Sequence, residues 1–584
     1  MVPSYIALIP QACFVAAVVL GLRVVAWFVY MMVIAPLSDP MRHLPGPDGS
    51  LLESHIQRVM DPELSFQTYK DWRTRYGKTF RFQGFGRHDY RLMTFDIRAI
   101  SHIMSSSNYE KPWQTRSFLG RLIGKGIFSS EGRAHELQRR IVAPAFSHHS
   151  VTRATTIFFR KADEVCDRWR DIIAERMEQT RGDAHSSAHQ GPFPVPSTVV
   201  DIAAWISRAS FDVIGLAGFG YDFHALKDES EEVYCAYRKM FRIADKGLNL
   251  WQILELYFPV LRKIFVTDDI RITNESKKII AKAGQAIVAE KKRAFQEAQV
   301  HGDEEKDLLT LLIKSNLHNS KELRLTDEEL QDQCSTFLLA GSDSVSTAIS
   351  WCFQFLAMYP DVQIRLRREL SGAPYKIEGL ESDNSMDSGF VDTSARARWY
   401  EIARMPLLDH VIRETLRLHP PVHSTIRVAL KDDYVPLHHP VTLRNGRLVG
   451  SHDQRSEIWE RDIKIRKGTY VHIPLEGYNL SQDQWGEDAL SFNPDRWKQF
   501  RHKNTPSLTP GSNLMTFGYG SSSCLGYRFT IAEMKVFIAT ILPQFEFALA
   551  GDVEVSRFNA IITRPYVKGK WSEGTQMPIS IREL

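Results

Sequence analysis

With 584 residues, the chain is long enough for one large domain or several smaller ones, so length alone does not decide its organisation. Hydrophobic residues make up 43% and charged residues 24%, a balance that fits a globular core and excludes wholesale disorder. The net charge is only +4, and the sequence has no zinc-finger spacing, RNA-binding aromatic signature or useful basic run, so we expect no nucleic-acid partner. The cysteines form no CxxC pair and fit neither a disulfide scaffold nor a structural zinc site; they are Cys13, Cys166, Cys235, Cys334, Cys352 and Cys524.

The N-terminus is apolar over a length that can span a bilayer. Residues 6–22 and 24–37 are almost wholly apolar and are separated by Arg23, and a span needs about 20 such residues. A cleaved signal peptide is the alternative, but its charged first segment is missing and the apolar stretch is too long for one. Because Arg42 and many basic residues follow while none precedes Arg23, the positive-inside rule puts the body of the chain in the cytosol. We therefore predict a membrane anchor over residues 1–37.

A stiff break follows the anchor. Leu44-Pro45-Gly46-Pro47 cannot continue a helix, because two prolines flank a glycine. We predict a proline-rich hinge over residues 38–50 and a single globular body over residues 51–584.

Helical patterns dominate the body, and strand-like runs are few. Such runs stand at residues 79–83, around 441–443 and at 470–473, and a last hairpin is predicted at 565–569. Two polar stretches, Thr180–Pro194 and Ser371–Ser394, are predicted to be surface insertions. The expected fold class is mainly α with a minor β portion.

Two arginines, Arg139 and Arg140, stand shortly before Pro144-Ala-Phe-Ser. More informative is the long helix that starts further on. Thr326-Asp-Glu-Glu329 is a capping box, and the helix is predicted to run to Tyr359, where Pro360 ends it. At the usual rise, that is about 50 Å.

The middle of this helix, Ala340-Gly-Ser-Asp-Ser344, is built from poor helix formers. Two interpretations stay open. The helix can be opened locally, so that a ligand lies against Gly341 and an acid–alcohol pair faces it. Alternatively, Gly341 is a notch for helix packing and Asp343 is a solvated acid.

A glycine-rich loop near the C-terminus surrounds one cysteine, in the sequence Phe517-Gly-Tyr-Gly-Ser-Ser-Ser-Cys524-Leu-Gly526. The glycines permit a backbone that folds tightly around a metal-bound sulfur. A helix is predicted from Tyr527, so its N-terminus would stabilise a thiolate and lower the pKa of Cys524. A glycine-rich loop with an incidental cysteine is the alternative.

A further charged pair is Glu414-Thr-Leu-Arg417, on a helix predicted from Met405 to His419. Positions three apart share a helix face, so the pair is either a common surface ion pair or part of a buried network. Arg496, in Pro494-Asp-Arg-Trp497, is a second arginine that could join Glu414.

Taken in order, these motifs resemble the cytochrome P450 superfamily, from Leu44 to the C-terminus. The similarity lies in the cysteine loop, the groove of the central helix, the Glu-x-x-Arg pair, the segment Pro494–Trp497 and the end of a C-helix motif at Arg139 and Arg140. The anchor and hinge resemble the microsomal eukaryotic type, and the loops resemble fungal members.

The resemblance implies a haem-thiolate monooxygenase that uses haem b, with the Cys524 thiolate as the iron ligand. It assigns cofactor contacts to Cys524, Arg139, His135, Arg427, Phe517, Gly518 and Gly526. It assigns proton delivery to Asp343 and Ser344, and a structural network that supports the cysteine loop to Glu414, Arg417 and Arg496. It assigns a mostly apolar substrate pocket to Phe337, Ala340, Gly341, Ser424, Thr425 and Ile561.

Three positions depart from the family pattern. Ser522 stands where Arg or His is usual and can donate a hydrogen bond but no charge, so Arg139 and Arg427 would carry more of the binding of the haem propionates. His135 stands in place of Trp, and Ser344 in place of Thr keeps a hydroxyl.

Because only about 60 residues follow the cysteine loop, too few for a flavin domain, the electrons of NADPH would come through a separate NADPH–cytochrome P450 reductase. The implied enzyme is a single-pass protein of the endoplasmic reticulum membrane with a cytosolic catalytic domain. It would use O2 to oxidise a lipophilic small molecule, with a terpenoid of secondary metabolism as one class. The alternatives are a haem-thiolate isomerase or dehydratase, a xenobiotic or fatty-acid hydroxylase, a haem-binding membrane carrier or sensor, and a helical membrane adaptor without cofactor.

Overall fold

The computed structural model of the chain describes residues 5–182, 197–245, 251, 254–255, 258–301, 307–318, 324–372, 393–450, 462–499 and 514–584. The two predicted insertions, Thr180–Pro194 and Ser371–Ser394, lie outside these residues except at their ends.

Helices account for most of the described chain. The α-helices are α1 (Tyr5–Val29), α2 (Ala35–Ser38), α3 (Ile56–Met60), α4 (Ser65–Tyr76), α5 (Ile97–Ser105), α6 (Trp113–Ile123), α7 (Gly132–Val142), α8 (His148–Gly182), α9 (Ile202–Phe219), α10 (Glu232–Ala244), α11 (Pro259–Ile264), α12 (Asp268–His301), α13 (Leu308–His318), α14 (Asp327–Leu338), α15 (Ser344–Met358), α16 (Pro360–Ser371), α17 (Thr393–Ala403), α18 (Pro406–Leu418), α19 (Leu475–Asn479), α20 (Gln482–Trp485), α21 (Arg496–Gln499) and α22 (Tyr527–Ile541). Short π-helices lie at Tyr30–Ile34 and Leu339–Asp343, and short 3-10 helices at Pro40–His43, Ala143–Phe146, Gly520–Ser522 and Trp571–Glu573.

The strands are short and form several small sheets. They are β1 (Thr79–Gln83), β2 (Tyr90–Thr94), β3 (Tyr109–Glu110), β4 (Thr198–Asp201), β5 (Ser424–Ala429), β6 (Asp433–Pro436), β7 (Val441–Thr442), β8 (Leu448–Val449), β9 (Asp462–Ile465), β10 (Tyr470–Pro474), β11 (Phe545–Leu549), β12 (Val555–Asn559), β13 (Thr563–Val567) and β14 (Pro578–Glu583). The predicted fold class, mainly α with a minor β portion, is confirmed.

The chain divides into two compact units. The first comprises Met1–Pro112 and Ser424–Pro474. Its five-stranded sheet has the order β1-β2-β10-β5-β3, in which β10 and β2 are parallel and the other neighbours are antiparallel. All five residues of β1 and of β2 are buried, and one side of this hairpin belongs to an aromatic core that includes Trp72, Phe80 and Phe82.

The second unit comprises Trp113–His423 and Leu475–Leu584. Its helices include the long pair α8 and α9, and its sheets are the three-stranded β11-β14-β4 and the hairpin β12-β13. Trp169 of α8 is fully buried, with its ring edge-on to Phe545 and Phe547 of β11. This large aromatic contact fixes α8 against the C-terminal sheet of the same unit.

The N-terminal helix is long and apolar. Helix α1 passes through Arg23 without a break and continues through the first π-helix into α2. The segment Phe14–Ser38 has 25 residues and a mean hydropathy of 2.2, and Pro36 is its one buried residue, so it is long and apolar enough to act as a membrane anchor. The other helix of sufficient length and hydropathy, Ile202–Phe219, is mostly buried, as expected of a core helix.

Candidate active site

The cysteine loop closes on itself through backbone hydrogen bonds. The Cys524 N–H donates to the Phe517 carbonyl over 2.8 Å, and the Gly518 N–H donates to the Met515 carbonyl over 2.8 Å. Gly518 and Gly520 have φ values of 71° and 67°, which side chains with a Cβ rarely adopt. The loop leads directly into α22, so Cys524 lies three residues before the first residue of a helix, as predicted.

Cys524 is the most accessible of the described cysteines. Its side chain is exposed, whereas Cys166, Cys334 and Cys352 are buried and the pKa of each of those thiols is raised to about 12 by desolvation. These three behave as small apolar core residues.

The expectation of a lowered thiol pKa at position 524 is wrong for the protein without a metal. Although the sulfur can be reached from outside, the surrounding protein desolvates the thiolate and raises the pKa of Cys524. The Gly526 N–H and the charge of Arg139 act in the opposite direction but do not outweigh this desolvation. A bound metal cation would supply the missing stabilisation, since coordination deprotonates a thiol.

Arg139, at the end of α7, holds the cysteine loop. Its guanidinium donates to the Ser523 carbonyl over 2.8 Å and to the Ser523 hydroxyl over 3.1 Å. Desolvation lowers the pKa of Arg139, and the nearby Cys524 opposes that change. His135, one turn earlier on α7, is buried, whereas Arg140 is exposed. Ser522, at the unusual position, is partly exposed.

The surroundings of Cys524 fit a flat apolar cofactor with a soft metal. A Cβ on Gly526 would lie 3.6 Å from Phe146 and 4.0 Å from the Cys524 sulfur, so a side chain at this position would be in van der Waals contact with both. The Phe146 ring in turn packs edge-on against Phe337 of α14, with 5.7 Å between ring centroids. The exposed Cys524 thiol can supply the sulfur ligand of a haem-thiolate site, and the neighbouring glycine, aromatic rings and arginine fit a flat cofactor beside it.

The central helix begins at the predicted cap. The Glu329 N–H donates to the Thr326 hydroxyl over 3.2 Å, and the Thr326 N–H donates to the Glu329 carboxylate over 2.8 Å. The predicted helix runs from its cap at Thr326 to Met358, and the five residues Leu339–Asp343 form a π-helix between α14 and α15. Single π-turns inside α-helices often mark functional positions.

At the π-turn, two small residues have different surroundings. Ala340 is exposed in an otherwise buried stretch, and the Ser344 hydroxyl donates to its carbonyl over 2.7 Å. A Cβ on Gly341 would lie 2.7 Å from two carbons of the Ile214 side chain on α9. The contact with Ile214 supports the interpretation that Gly341 is a notch for helix packing. The π-turn supports the interpretation that the helix is locally opened.

Asp343 is buried and paired, not solvated. Both of its carboxylate oxygens accept hydrogen bonds from Arg564 of β13, over 2.6 and 2.5 Å. The same guanidinium donates through Nε to Asp245, which follows α10, over 2.5 Å. Although desolvation lowers the pKa of Arg564, the charges of Asp245 and Asp343 raise it above its usual value. Sequence reasoning missed Arg564 and Asp245, because neither stands in a motif.

Glu414 is the centre of a buried network. Arg417 donates to both of its oxygens, over 2.8 and 2.9 Å, and Arg496 donates to one of them over 2.8 Å. Trp497 donates to the other oxygen through its indole N–H, over 3.0 Å. Glu414 and Arg417 are completely buried, so this is not a surface ion pair. Arg417 also donates to the backbone carbonyls of Asn479, Ala489 and Ser491. These bonds hold residues 479–491, which precede the cysteine loop in the chain, against α18.

The remaining residues predicted for the site fall into both units. Phe517 and Ile561 are partly buried in the second unit, and Ile561 lies in the turn of the β12-β13 hairpin. Ser424, Thr425 and Arg427 lie on β5 of the first unit, where the Arg427 guanidinium donates to the Thr425 hydroxyl over 2.6 Å and to the Ile426 carbonyl over 3.0 Å.

Comparison with known proteins identifies the family. The cytochrome P450 family model matches residues 44–449 and 437–571. Cytochrome P450 monooxygenase 128 of Postia placenta is 35% identical over 582 residues, covering 96% of this chain and 97% of that protein. Ganoderic acid synthetase of Ganoderma lucidum is 30% identical, covering 92% and 93%, and cytochrome P450 monooxygenase claO of Ampulloclitocybe clavipes is 29% identical, covering 94% of each chain. The chain therefore belongs to the cytochrome P450 family of haem-thiolate monooxygenases.

Proposed function

We propose that this P450 uses NADPH and O2 to hydroxylate or otherwise oxidise a lipophilic small molecule of secondary metabolism, with terpenoids as the class to test first. The observation that carries the proposal is Cys524, the exposed cysteine among the described side chains, in a glycine-lined loop that opens beside Phe146. The relative named as a ganoderic acid synthetase supports a role in making natural products.

Haem b would be held through the Cys524 thiolate, with Phe517, Gly518 and Gly526 shaping the loop. When bound, it supplies the activation of O2 that the protein side chains cannot perform. Arg139 contributes a positive charge beside the loop, and His135 and Arg427 are the further residues that the family resemblance gives to this cofactor. The network of Glu414, Arg417 and Arg496 keeps the loop in place and takes no part in the chemistry.

Asp343 and Ser344 would move protons. The Ser344 hydroxyl is partly exposed and donates to the Ala340 carbonyl. Its oxygen can therefore accept an incoming proton while the hydroxyl releases the proton that it already carries. Asp343 is the adjacent acid: after its carboxylate takes up a proton from water, the carboxyl would pass that proton to the hydroxyl through a water molecule, which is general-acid work. Arg564 holds this carboxylate in one orientation.

The substrate would be recognised mainly by apolar contact. The proposed pocket residues are Phe337, Ala340, Gly341, Ser424, Thr425 and Ile561, which offer two hydroxyls among otherwise apolar groups. Such a lining favours a lipophilic substrate that has few polar groups to desolvate.

Electrons would come from NADPH through a separate membrane-bound NADPH–cytochrome P450 reductase. We assign residues 1–37 to the anchor, 38–50 to the hinge and 51–584 to the catalytic domain, which faces the cytosol from the endoplasmic reticulum membrane. The apolar segment Phe14–Ser38 supports an N-terminal anchor, and the family match starts at residue 44, within the proposed hinge.

The first experiment tests the iron ligand. We expect the purified protein to show the red-shifted Soret band of a thiolate-ligated CO complex, and Cys524→Ala to abolish it. Cys334→Ala and Cys352→Ala are matched controls, because these thiols are buried in the core, and we expect both to keep the band. A band that survives Cys524→Ala, or a protein without haem, would overturn the proposal.

The second experiment tests the reaction. Expression with a reductase in a host fed candidate terpenoids should yield products whose mass is increased by one oxygen atom, with consumption of NADPH. A product of unchanged mass, or one that has lost water, formed without NADPH would favour an isomerase or dehydratase. Haem binding without turnover of any lipophilic compound, including fatty acids and xenobiotics, would favour a carrier or sensor.

A further inference from the structure

A carboxylate outside every sequence motif lies completely buried on the short helix α19. Glu476 accepts a hydrogen bond from the Asn559 side-chain amide over 3.0 Å and one from the Arg557 guanidinium over 3.3 Å. Both partners stand on β12, the first strand of the β12-β13 hairpin. The Arg557 side chain keeps 23% of its surface exposed, whereas none of the Glu476 side chain is accessible. Strand β12 is therefore held by an acid that solvent does not reach.

The opposite strand of the hairpin is held by different groups. The Thr563 N–H, at the start of β13, donates to the Pro421 carbonyl over 2.7 Å, and the Trp351 indole N–H donates to the Thr563 carbonyl over 3.4 Å. Two residues past Pro421, the His423 carbonyl accepts from the Glu476 backbone N–H over 3.0 Å. The segment after α18, helix α19 and the hairpin are thus joined in a closed ring of hydrogen bonds, in which the Glu476 carboxylate makes the connection to β12.

This ring fixes the turn that carries a predicted pocket residue. Residues 560–562 connect the two strands, and Ile561 at their centre is partly exposed. The last paired residues before the turn are Asn559 and Thr563, which lie opposite each other in the hairpin. Because both belong to the hydrogen-bonded ring, the orientation of the turn depends on bonds at both strands. Loss of the bonds from β12 to Glu476 would leave the turn held from β13 alone.

The surroundings of Glu476 make its charge sensitive to pH near neutrality. Desolvation raises the pKa of Glu476 to about 7, although the charge of Arg557 and the two hydrogen bonds from β12 act against this rise. Two histidines after α18, His419 and His423, also sense the charge of Arg557, and desolvation lowers the pKa of both, that of His423 to about 4. The charged Arg417 of α18 contacts the last residue of α19 and is paired with an acid on its own helix. Glu476 is therefore the group of this cluster that changes charge between about pH 6 and about pH 8.

We propose that Glu476 is a positioning residue for substrate selectivity, which holds the turn at Ile561 through β12 in the orientation that selects the oxidised position of the substrate. The inference rests on the proposed function, because it presupposes that a substrate is oxidised beside Ile561. Glu476 acts through the hairpin and does not touch the substrate. When the acid takes up a proton as pH falls, its charge attraction to Arg557 is lost and the turn gains freedom, so the distribution of products changes.

The first test follows the hairpin without any substrate. Amide hydrogen exchange of peptides that cover residues 555–563, corrected for the intrinsic effect of pH, should be about twofold to tenfold faster in Glu476→Gln than in the wild type at about pH 8. At about pH 6 the two proteins should exchange alike, because the wild-type acid is then mostly neutral. Peptides from β14 are the internal reference and should exchange equally in both proteins.

Variants of Arg557 test the same pair from its exposed end. Arg557→Met leaves the buried acid in place but removes its cation, so it should reproduce the faster exchange of the hairpin at about pH 8. Arg557→Lys keeps a positive charge and should exchange like the wild type. The two variants together separate the charge of the pair from the packing of the side chain.

The second test measures selectivity with the terpenoid that the feeding experiment identifies as a substrate. The ratio of its main oxidised product to the isomeric products should shift about twofold to tenfold between about pH 8 and about pH 6 in the wild type. In Glu476→Gln it should stay at the low-pH value throughout, because glutamine is neutral and of similar shape. A ratio of products from one substrate does not depend on the rate of electron supply, so the general effect of pH on turnover cancels.

The matched control is Glu533→Gln, which makes the same change at an equally buried acid. Glu533 stands on α22 and accepts from the Ser210 hydroxyl of α9, so we expect this variant to keep the wild-type product ratio and its change with pH.

The inference is overturned if the hairpin exchanges like the wild type at about pH 8 in both Glu476→Gln and Arg557→Met. It is also overturned if Glu476→Gln keeps the wild-type product ratio and its change with pH. A wild-type protein that oxidises no compound refutes the proposed function instead, and the exchange measurement then decides whether Glu476 holds the hairpin.

Discussion

Two buried glutamates show how the surroundings of one residue type determine what it contributes. Glu414 is completely buried and accepts from two arginines, an indole N–H and the Asn493 backbone N–H. Glu533, on α22 behind the cysteine loop, is equally buried, but its described hydrogen bond comes from the Ser210 hydroxyl, over 2.8 Å. Its second oxygen has no partner in the described chain. The first glutamate is an ionic centre of the fold, whereas the second is expected to be neutral.

Replacement of Glu533 by glutamine should remove a pH-dependent cost. Burial raises the pKa of Glu533 from 4.5 to about 8, and the bond from Ser210 offsets this only in part. The folded state therefore holds a proton that the unfolded chain releases, and stability falls as pH rises from about 4.5 to about 8, by at most ~1.4 kcal/mol per pH unit. Urea unfolding of Glu533→Gln should match the wild type near pH 4.5 and show a growing advantage up to pH 8.

Glu175→Gln is the control for this comparison, because Glu175 is exposed on α8. We expect its stability to follow the wild-type pH profile. A Glu533→Gln protein whose stability runs parallel to the wild type over the same range would mean that Glu533 is ionised in the folded state.

At the level of elements, the sequence predicted the central helix, its start and its end, but left open whether its middle is locally opened. The cap at Thr326 and the stop at Pro360 are local signals, and both appear in the structure. The π-turn depends on partners that are distant in sequence. Ile214 packs against Gly341, and Arg564 binds Asp343 from 221 residues further along the chain. No periodicity within the helix contains that information. The same limit explains why the predicted Glu414 pair could be either a surface pair or a buried network on local grounds.

Gly341→Ala separates the two interpretations of the π-turn. The new methyl group would lie within 2.7 Å of Ile214, so overpacking of about 1–3 kcal/mol should outweigh the gain of about 1 kcal/mol in helix propensity. Ile214→Ala combined with Gly341→Ala should restore part of this loss, giving a favourable coupling energy in a double-mutant cycle of thermal unfolding. Additive effects would mean that Gly341 is not needed for packing against Ile214 of α9.

For the whole molecule, the order of motifs along the chain was more informative than any single element. The apolar N-terminal helix, the cysteine loop and the Glu414 helix could be located from sequence, because each rests on local chemistry. The assembly of residues 424–474 with residues 1–112 could not. It depends on the parallel pairing of β10 with β2, in which Val471 lies beside Leu92. Pairings between segments so far apart leave no signal in a single sequence beyond the apolar character of each strand.

The orientation of the chain in the membrane gives the last prediction. If Phe14–Ser38 is an uncleaved span, the full chain should stay in the membrane pellet after alkaline carbonate extraction and keep its N-terminal residues. Deletion of residues 1–37 should release the protein into the soluble fraction. The chain has two N-glycosylation sequons, Asn274-Glu-Ser276 and Asn479-Leu-Ser481. Asn274 is exposed on α12 and therefore reports the side of the membrane, whereas Asn479 is completely buried. With a cytosolic body, Asn274 should carry no glycan, and glycosidase treatment should leave the gel mobility unchanged.

As a control, a cleavable signal peptide placed before residue 38 should lead to glycosylation at Asn274, which shows that the site can be modified. A glycan on Asn274 of the unaltered chain, or loss of its N-terminal segment, would show that the body faces the lumen.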